Sequence, residues 1–361
     1  MQGLRKLIFA AACVCLSLSA QHATAAGRTG AVAVEGNQVI YTVAPDETLP
    51  AIAEQTTAKA ENWRELAKAN RLPSTPTVKA GSRLVIPQRL LPEDPVEGNI
   101  VSMSGHVYRI GERGAVGTLS ADDKITEGMK INLGRKSFLT IGLPDGSRIS
   151  LPSNSYIRLT RLRMTRFTKS PKTEITLLNG SAELEVNSLK ENMGKFEVRT
   201  VTWIAGVRGT RFRVHVNNGT TATEVLEGEV AVKHARETRE RLLPSGTGLI
   251  QNADGKVKMG QLLDPPRFCI NCTPPRNGNI VVAIDPVKGA AGYRVRMAAD
   301  RNMHDVVDES MTNTNEAELK KSVRGTYHIV VTALDVNGME GKPSVQTHEF
   351  KLPSLPVPNP Q

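Results

Sequence analysis

The chain has 361 residues, enough for two or three domains, and 46 Lys+Arg against 36 Asp+Glu give it a formal net charge of +10. A hydrophobic share of 39 % supports packed cores and excludes a polytopic membrane protein, while 30 Gly and 21 Pro spread along the chain exclude collagen-like and low-complexity architectures. At 4 % aromatic residues, no broad stacking platform for bases or sugars is expected.

Arg5 and Lys6 precede an apolar run from Leu7 to Ala20, and Ala23-Thr24-Ala25 follows as an A-x-A cleavage site. Residues 1–25 therefore read as a secretory signal peptide. The run is shorter than the roughly 18–20 residues of a spanning helix, which argues against an N-terminal membrane anchor. Acylation at Cys13 or Cys15 is a minor alternative, because the residues before them lack the usual Leu. The expectation is a periplasmic protein with no transmembrane anchor after cleavage. Its positive charge suits an anionic envelope polymer or membrane surface, and export argues against a nucleic-acid partner.

Residues 40–87 read as strand, helix, helix, strand. Val39, Tyr41 and Val43 alternate with Ile40 and Thr42. Thr48 is placed to cap a helix in which Leu49, Ile52, Ala53 and Thr56 share one face. Trp63, Leu66, Ala67 and Asn70 repeat that spacing, Leu72-Pro73 stops the second helix, and Arg83-Leu84-Val85-Ile86 forms the closing strand. Tyr41-Thr42-Val43, Asp46-Glu47-Thr48-Leu49, Trp63-Arg64-Glu65-Leu66, Ala69-Asn70-Arg71-Leu72 and Ala80-Gly81-Ser82-Arg83-Leu84-Val85-Ile86-Pro87 resemble a LysM module, here set at 38–89. The resemblance implies a βααβ fold that binds peptidoglycan or another N-acetylglucosamine-containing glycan between two loops. It places the glycan-binding residues at Asp46, Glu47, Thr48, Leu49, Asn70, Leu72, Pro73 and Ser74. The chain has Asp46 where the family usually has Gly, and Pro50 where a bulky residue often follows Thr-Leu.

Leu91-Pro92-Glu93-Asp94-Pro95 reads as a linker into an all-β, hairpin-rich domain over 97–262. Ala182, Leu184 and Val186, then Phe196 and Val198, then Phe212, Val214 and Val216 alternate with polar residues, as in strands with one buried and one wet face. Asp145-Gly146, Asn179-Gly180, Asn218-Gly219 and Asp254-Gly255 supply hairpin turns. Gly206-Val207-Arg208-Gly209-Thr210 resembles the signature of FecR domains, with support from Leu143-Pro144-Asp145-Gly146-Ser147, Leu177-Leu178-Asn179-Gly180, Phe196-Glu197-Val198-Arg199-Thr200 and Val225-Leu226-Glu227-Gly228-Glu229-Val230. The resemblance implies a periplasmic β-rich domain of the kind found in iron-uptake signal transducers. The paired glycines suggest a backbone bend. Arg208 is either a partner-binding residue or an internally satisfied turn arginine, the second reading being favoured. Arg148, Arg158, Arg161, Arg163, Arg166, Lys169 and Lys172 form a basic run without an acidic residue. Such a run is a stripe for carboxylates or phosphates, or a solvated face.

Residues 263–279 read as a Pro/Cys linker in which Cys269 and Cys272 form a structural disulfide, the expected state of a lone cysteine pair after export. Ile280, Val282 and Ile284, then Tyr293, Val295 and Met297, then Tyr327, Ile329 and Val331 alternate over 280–353. This looks like a fibronectin type III-like β-sandwich, followed by a Pro-rich tail at 354–361. His106, His215, His234, His304, His328 and His348 show no metal-ligand spacing, and no nucleophile elbow is present. The overall expectation is a multidomain, mainly β, non-enzymatic exported protein with no catalytic residue, metal or cofactor. It would bind peptidoglycan and present its β modules to an envelope protein partner. A FecR-type signalling adaptor and a cell-wall hydrolase are the alternatives.

Overall fold

The computed structural model describes residues 28–111, 114–188, 194–207, 209–270, 272–320 and 325–350. The expected signal peptide, Arg208 and the Pro-rich tail lie outside the described residues. The chain divides into two compact units, Met1–Pro87 and Gln88–Gln361.

The first unit is a three-stranded antiparallel sheet, β1 (Ala31–Glu35), β2 (Gln38–Thr42) and β3 (Arg83–Ile86), with helices α1 (Leu49–Thr57) and α2 (Trp63–Ala69) between β2 and β3. The β2-α1-α2-β3 order is the one read from sequence. The added strand β1 pairs with β2 through a two-residue Gly36-Asn37 turn, a Gly-Asn hairpin signal. Tyr41, Leu49, Ile52, Leu66, Leu84 and Ile86 form its core, each at most 2 % exposed. Thr48 caps α1 by accepting from the Ala51 N–H at 3.4 Å, satisfying one of the free donors of the first turn.

In the second unit, residues 93–262 form two sheets joined by one long strand, Pro171–Glu185. Its first part pairs with Tyr156–Thr165 and, in parallel, with Lys195–Arg199. Its second part pairs with Arg148–Leu151 and Arg211–Asn217. The first sheet continues through Trp203–Val207, Glu229–His234 and Arg241–Pro244. The second continues through Thr220–Glu227, Thr247–Gln251 and Val257–Gln261. Apolar residues from the two inner faces, Leu159, Ile175, Leu184, Phe196, Phe212, Val214 and Val232 among them, make one core.

Three of the four expected turns, at Asp145-Gly146, Asn218-Gly219 and Asp254-Gly255, do connect hairpins. Asn179-Gly180 does not. It is the bend at which the long strand passes from one sheet to the other. Gly180 has φ +80°, and a Cβ there would lie 2.6 Å from the Asn154 carbonyl oxygen and 2.6 Å from the Ser155 Cα. The parallel pairing with Lys195–Arg199 follows from this change of sheets and breaks the run of consecutive hairpins. The stretch Leu91–Pro95, expected as linker, carries a strand, Glu93–Pro95, docked on the end of Tyr156–Thr165.

Among the described residues, the remaining seven strands form a sandwich. Phe268–Ile270, Ile280–Ile284 and Glu316–Leu319 make one sheet; Val306–Thr312, Gly292–Ala298, Gly325–Leu334 and Ser344–Phe350 make the other. Val282, Ile284, Val295, Met297, Ile329 and Val331 fill the space between them. Its first strand lies inside the stretch read as a linker. Cys269 pairs there with Ala283 and is disulfide-bonded to Cys272, with the Cα atoms 5.7 Å apart.

Gly180→Val is expected to destabilise the second unit by about 2–4 kcal/mol, because it combines left-handed strain with a backbone clash that cannot relax. Urea denaturation of the full chain checks this through the transition of the larger unit.

Candidate functional site

The first site lies on the smaller unit. The Leu49 N–H donates to the Pro76 carbonyl at 2.8 Å, and Thr48 forms an isolated bridge with Thr77. These contacts bring the loop before α1 together with the segment after α2. Asp46, Thr48, Pro73 and Ser74 are exposed on these segments, and Leu72 is half-buried. Asp46 adopts φ +61°, the left-handed conformation that explains the usual glycine of the LysM pattern and that Asp tolerates better than most residues.

Other residues of the expected set are turned inward. Glu47 accepts from the Tyr41 hydroxyl at 2.5 Å and from the Ala44 N–H at 2.7 Å. Its carboxylate thus holds the loop to the sheet. Asn70 donates to the Leu66 and Val85 carbonyls, at 2.9 Å each, and accepts from the Val85 N–H at 2.7 Å. It ties the end of α2 to β3. Leu49 is fully buried. The expected set ends at Ser74 and leaves out Pro76 and Thr77, which join the loops through a backbone pairing that carries no residue-type signal.

The second candidate region is the face that the alternation of Arg211–Asn217 assigned to water. It is covered by the sandwich. Arg213 is 1 % exposed, Glu224 0 % and Glu340 1 %. Arg213 reaches Glu340 at 2.6 Å and donates to the Glu340 and Gly341 carbonyls at 2.8 and 2.7 Å. Arg294 bonds Glu340 at 3.0 Å and also Glu309. Glu183 takes Arg211 at 2.7 Å from its own sheet and Arg296 at 3.0 Å from the sandwich. His215 stands between Ser181 and Glu224, at 2.7 and 2.9 Å. Ser181 is its register partner on the neighbouring strand. An apolar contact of Phe138 with Ala298, Met303, Val306 and Val330 flanks the charges.

Burial works to raise the Glu183 and Glu340 pKa values. The surrounding arginines, Arg296 and Arg211 at Glu183 and Arg213 and Arg294 at Glu340, overcome it. Glu183 is held at about 2, and Glu340 well below the ordinary carboxylate range.

In the Gly206-Val207-Arg208-Gly209-Thr210 signature, Gly209 occupies a turn at φ +64°, while Gly206 sits in the strand Trp203–Val207 with room for a Cβ. Only one of the two glycines serves a bend. Three of the seven residues of the basic run are ion-paired. Arg161 bonds Glu93, Arg163 bonds Glu127 at 2.7 Å and Arg166 bonds Asp94 at 2.6 Å.

A family model described as LysM domain matches residues 41–87, and one described as FecR protein matches residues 129–231. The chain thus carries a LysM match followed by a FecR match. No curated protein matches the chain. Two crystal structures of an anti-sigma factor candidate from Parabacteroides distasonis align at 21 % and 23 % identity, with a TM-score of 0.30. Each alignment covers 37 % of this chain and 59 % of that one, so the chain spans less than two thirds of those relatives. The extracellular domain of a one-component system candidate from B. thetaiotaomicron aligns at 9 % identity and a TM-score of 0.18, covering 70 % of this chain and 37 % of that one.

Two expectations follow. Burial, with the Glu47 hydrogen bond and charge, holds the Tyr41 pKa well above its ordinary value of 10.0. Glu47→Ala is expected to let this tyrosine ionise nearer pH 10, seen in absorbance titration at 295 nm, and to cost the module about 1–2 kcal/mol.

The depressed Glu183 and Glu340 pKa values contribute stability that is present above the ordinary value of 4.5 and withdrawn as pH falls toward about 2. Glu340→Gln leaves Arg213 and Arg294 without their buried partner. It is expected to cost about 3–5 kcal/mol at neutral pH and to flatten the acid limb of a plot of Tm against pH.

Proposed function

We propose that this is a non-enzymatic exported envelope protein that binds peptidoglycan glycan strands through residues 38–89. In this reading it presents the FecR domain (97–262) and a fibronectin type III-like module (280–353) to envelope partners. The observation that carries the reading is the joining of the two loops of the LysM module, Leu49 to Pro76 and Thr48 to Thr77. It makes one polar surface from Asp46, Thr48, Ser74 and Thr77. Side-chain oxygens and free backbone groups on such a surface suit the hydroxyl and N-acetyl groups of a sugar chain. Glu47, Leu49 and Asn70 support this surface from beneath rather than touching the glycan. Tethering to the wall raises the local concentration of the β modules at any envelope partner without new contacts.

The match to a FecR model favours a second reading, a periplasmic signalling adaptor whose partner is a membrane protein. The two readings combine if the wall-bound chain passes a signal on.

Co-sedimentation with purified sacculi tests the proposal. The full chain is expected to pellet with them, and a chain lacking residues 40–87 to stay in the supernatant. Equal retention of both would remove the glycan role from this module.

A further inference from the structure

The cations of the basic run fall into two groups. Arg161, Arg163 and Arg166 each have a carboxylate partner. Arg158 has none. It sits on Tyr156–Thr165 directly opposite Lys130 of the neighbouring strand. Both line an open hollow of about 760 Å³ together with Arg109, Gly117 and Gly128. Among the described residues, none of Arg109, Lys130 and Arg158 has an ion-pair partner. Among the described residues of the lining, the carboxylate of Glu127 is consumed. It binds Arg163 through both oxygens at 2.7 and 2.8 Å and accepts from the Leu162 N–H at 3.1 Å.

Like charges placed directly opposite on antiparallel strands repel and destabilise the pair. At Lys130 and Arg158 the chain supplies no counter-charge among the described residues. A local rule broken without compensation, beside a hollow of ligand size, marks a functional position. The geometry points to a binding site for a phosphate-bearing anion, held by Arg158, Lys130 and Arg109. A phosphate group carries close to two charges at pH 7 and several acceptor oxygens, which matches the guanidinium fork of Arg158 and the ammonium of Lys130 side by side at one hollow, with Arg109 in its lining. A monocarboxylate would neutralise one of the three and leave the repulsion in place. The source is either a soluble phosphate compound or the headgroup of an anionic lipid. The site belongs to the larger unit and is independent of glycan binding by residues 38–89.

Isothermal titration of the full chain with inorganic pyrophosphate at low salt tests it. Saturable binding is expected, weakening as salt is raised. It is expected to fall at least tenfold in the Lys130→Gln/Arg158→Gln double variant and to be unchanged in Arg166→Gln, whose partner is Asp94. Without ligand the double variant is expected to melt above the parent, because the repulsion is gone, and to lose the rise in Tm that pyrophosphate gives the parent. Flotation with phosphatidylglycerol vesicles against free pyrophosphate separates the two sources. Deleting residues 40–87 is expected to leave pyrophosphate binding intact while abolishing sacculus retention. No saturable binding, equal binding by the double variant, or equal binding of tricarballylate would overturn the assignment.

Discussion

The larger unit depends on a buried ionic junction. Arg213 and Glu224 from one β-sheet, and Arg294, Arg296 and Glu340 from the sandwich, are all nearly or fully removed from water. Taking such charges out of water is costly, and the arrangement persists because each is met by an opposite charge or by a backbone carbonyl. Arg213 shows the principle. It spends its guanidinium on the Glu340 carboxylate and on two consecutive carbonyls of the same turn. A buried ion pair adds little net stability over a well-packed apolar contact, but it tolerates very few relative positions. An apolar junction would allow the sandwich to slide; this one fixes its register against the strands Pro171–Glu185 and Arg211–Asn217. We regard the FecR domain and the sandwich as one mechanical piece for that reason.

The junction also explains where sequence reasoning stopped. Alternation identified the inward residues of Arg211–Asn217 correctly, since Phe212, Val214 and Val216 are buried. The same alternation assigned Arg211, Arg213 and His215 to water. A charged face that meets solvent and a charged face that meets an oppositely charged face have the same local pattern. What distinguishes them is Glu340, 127 residues away from Arg213. Asn179-Gly180 failed for a related reason. The dipeptide reports a positive φ, which the structure has, but not whether the chain reverses there or changes sheets. Short-range signals were legible: the two amphipathic helices, the Thr48 cap and three Asx-Gly hairpins. Partners supplied from distant segments, such as Glu93 and Asp94 for Arg161 and Arg166, were not.

A similar division runs through the LysM module. The motif residues were legible as a set, but the set mixes two kinds of work. Glu47 and Asn70 have polar side chains on the two loops of the motif, the profile of ligand contacts, yet their hydrogen-bonding capacity is largely used within the fold. A residue already satisfied by its own protein has little to offer a sugar, because a new bond must first break an old one. The side chains of Asp46 and Ser74 carry no such cost, whereas the Thr48 oxygen also caps α1 and the Thr77 hydroxyl lies 3.4 Å from that of Thr75. The pattern of the motif therefore reflects the construction of the surface as much as contact with a ligand.

With one outer face of the FecR domain taken by the sandwich, the other sheet has the face left to meet partners. Several of its charges are paired. Arg163 is bound to Glu127, Arg166 to Asp94, and Arg199 to Glu174 and Glu197. Exposed pairs of this kind add little stability, and their main effect is to cancel the field that the arginines would otherwise project. The long-range attraction of this face for anions is then set by the few cations left uncancelled. A net charge of +10 spread evenly would make the protein weakly adhesive everywhere. Lys130 and Arg158, set face to face without an ion pair beside one hollow, turn part of that diffuse property of the composition into a local one.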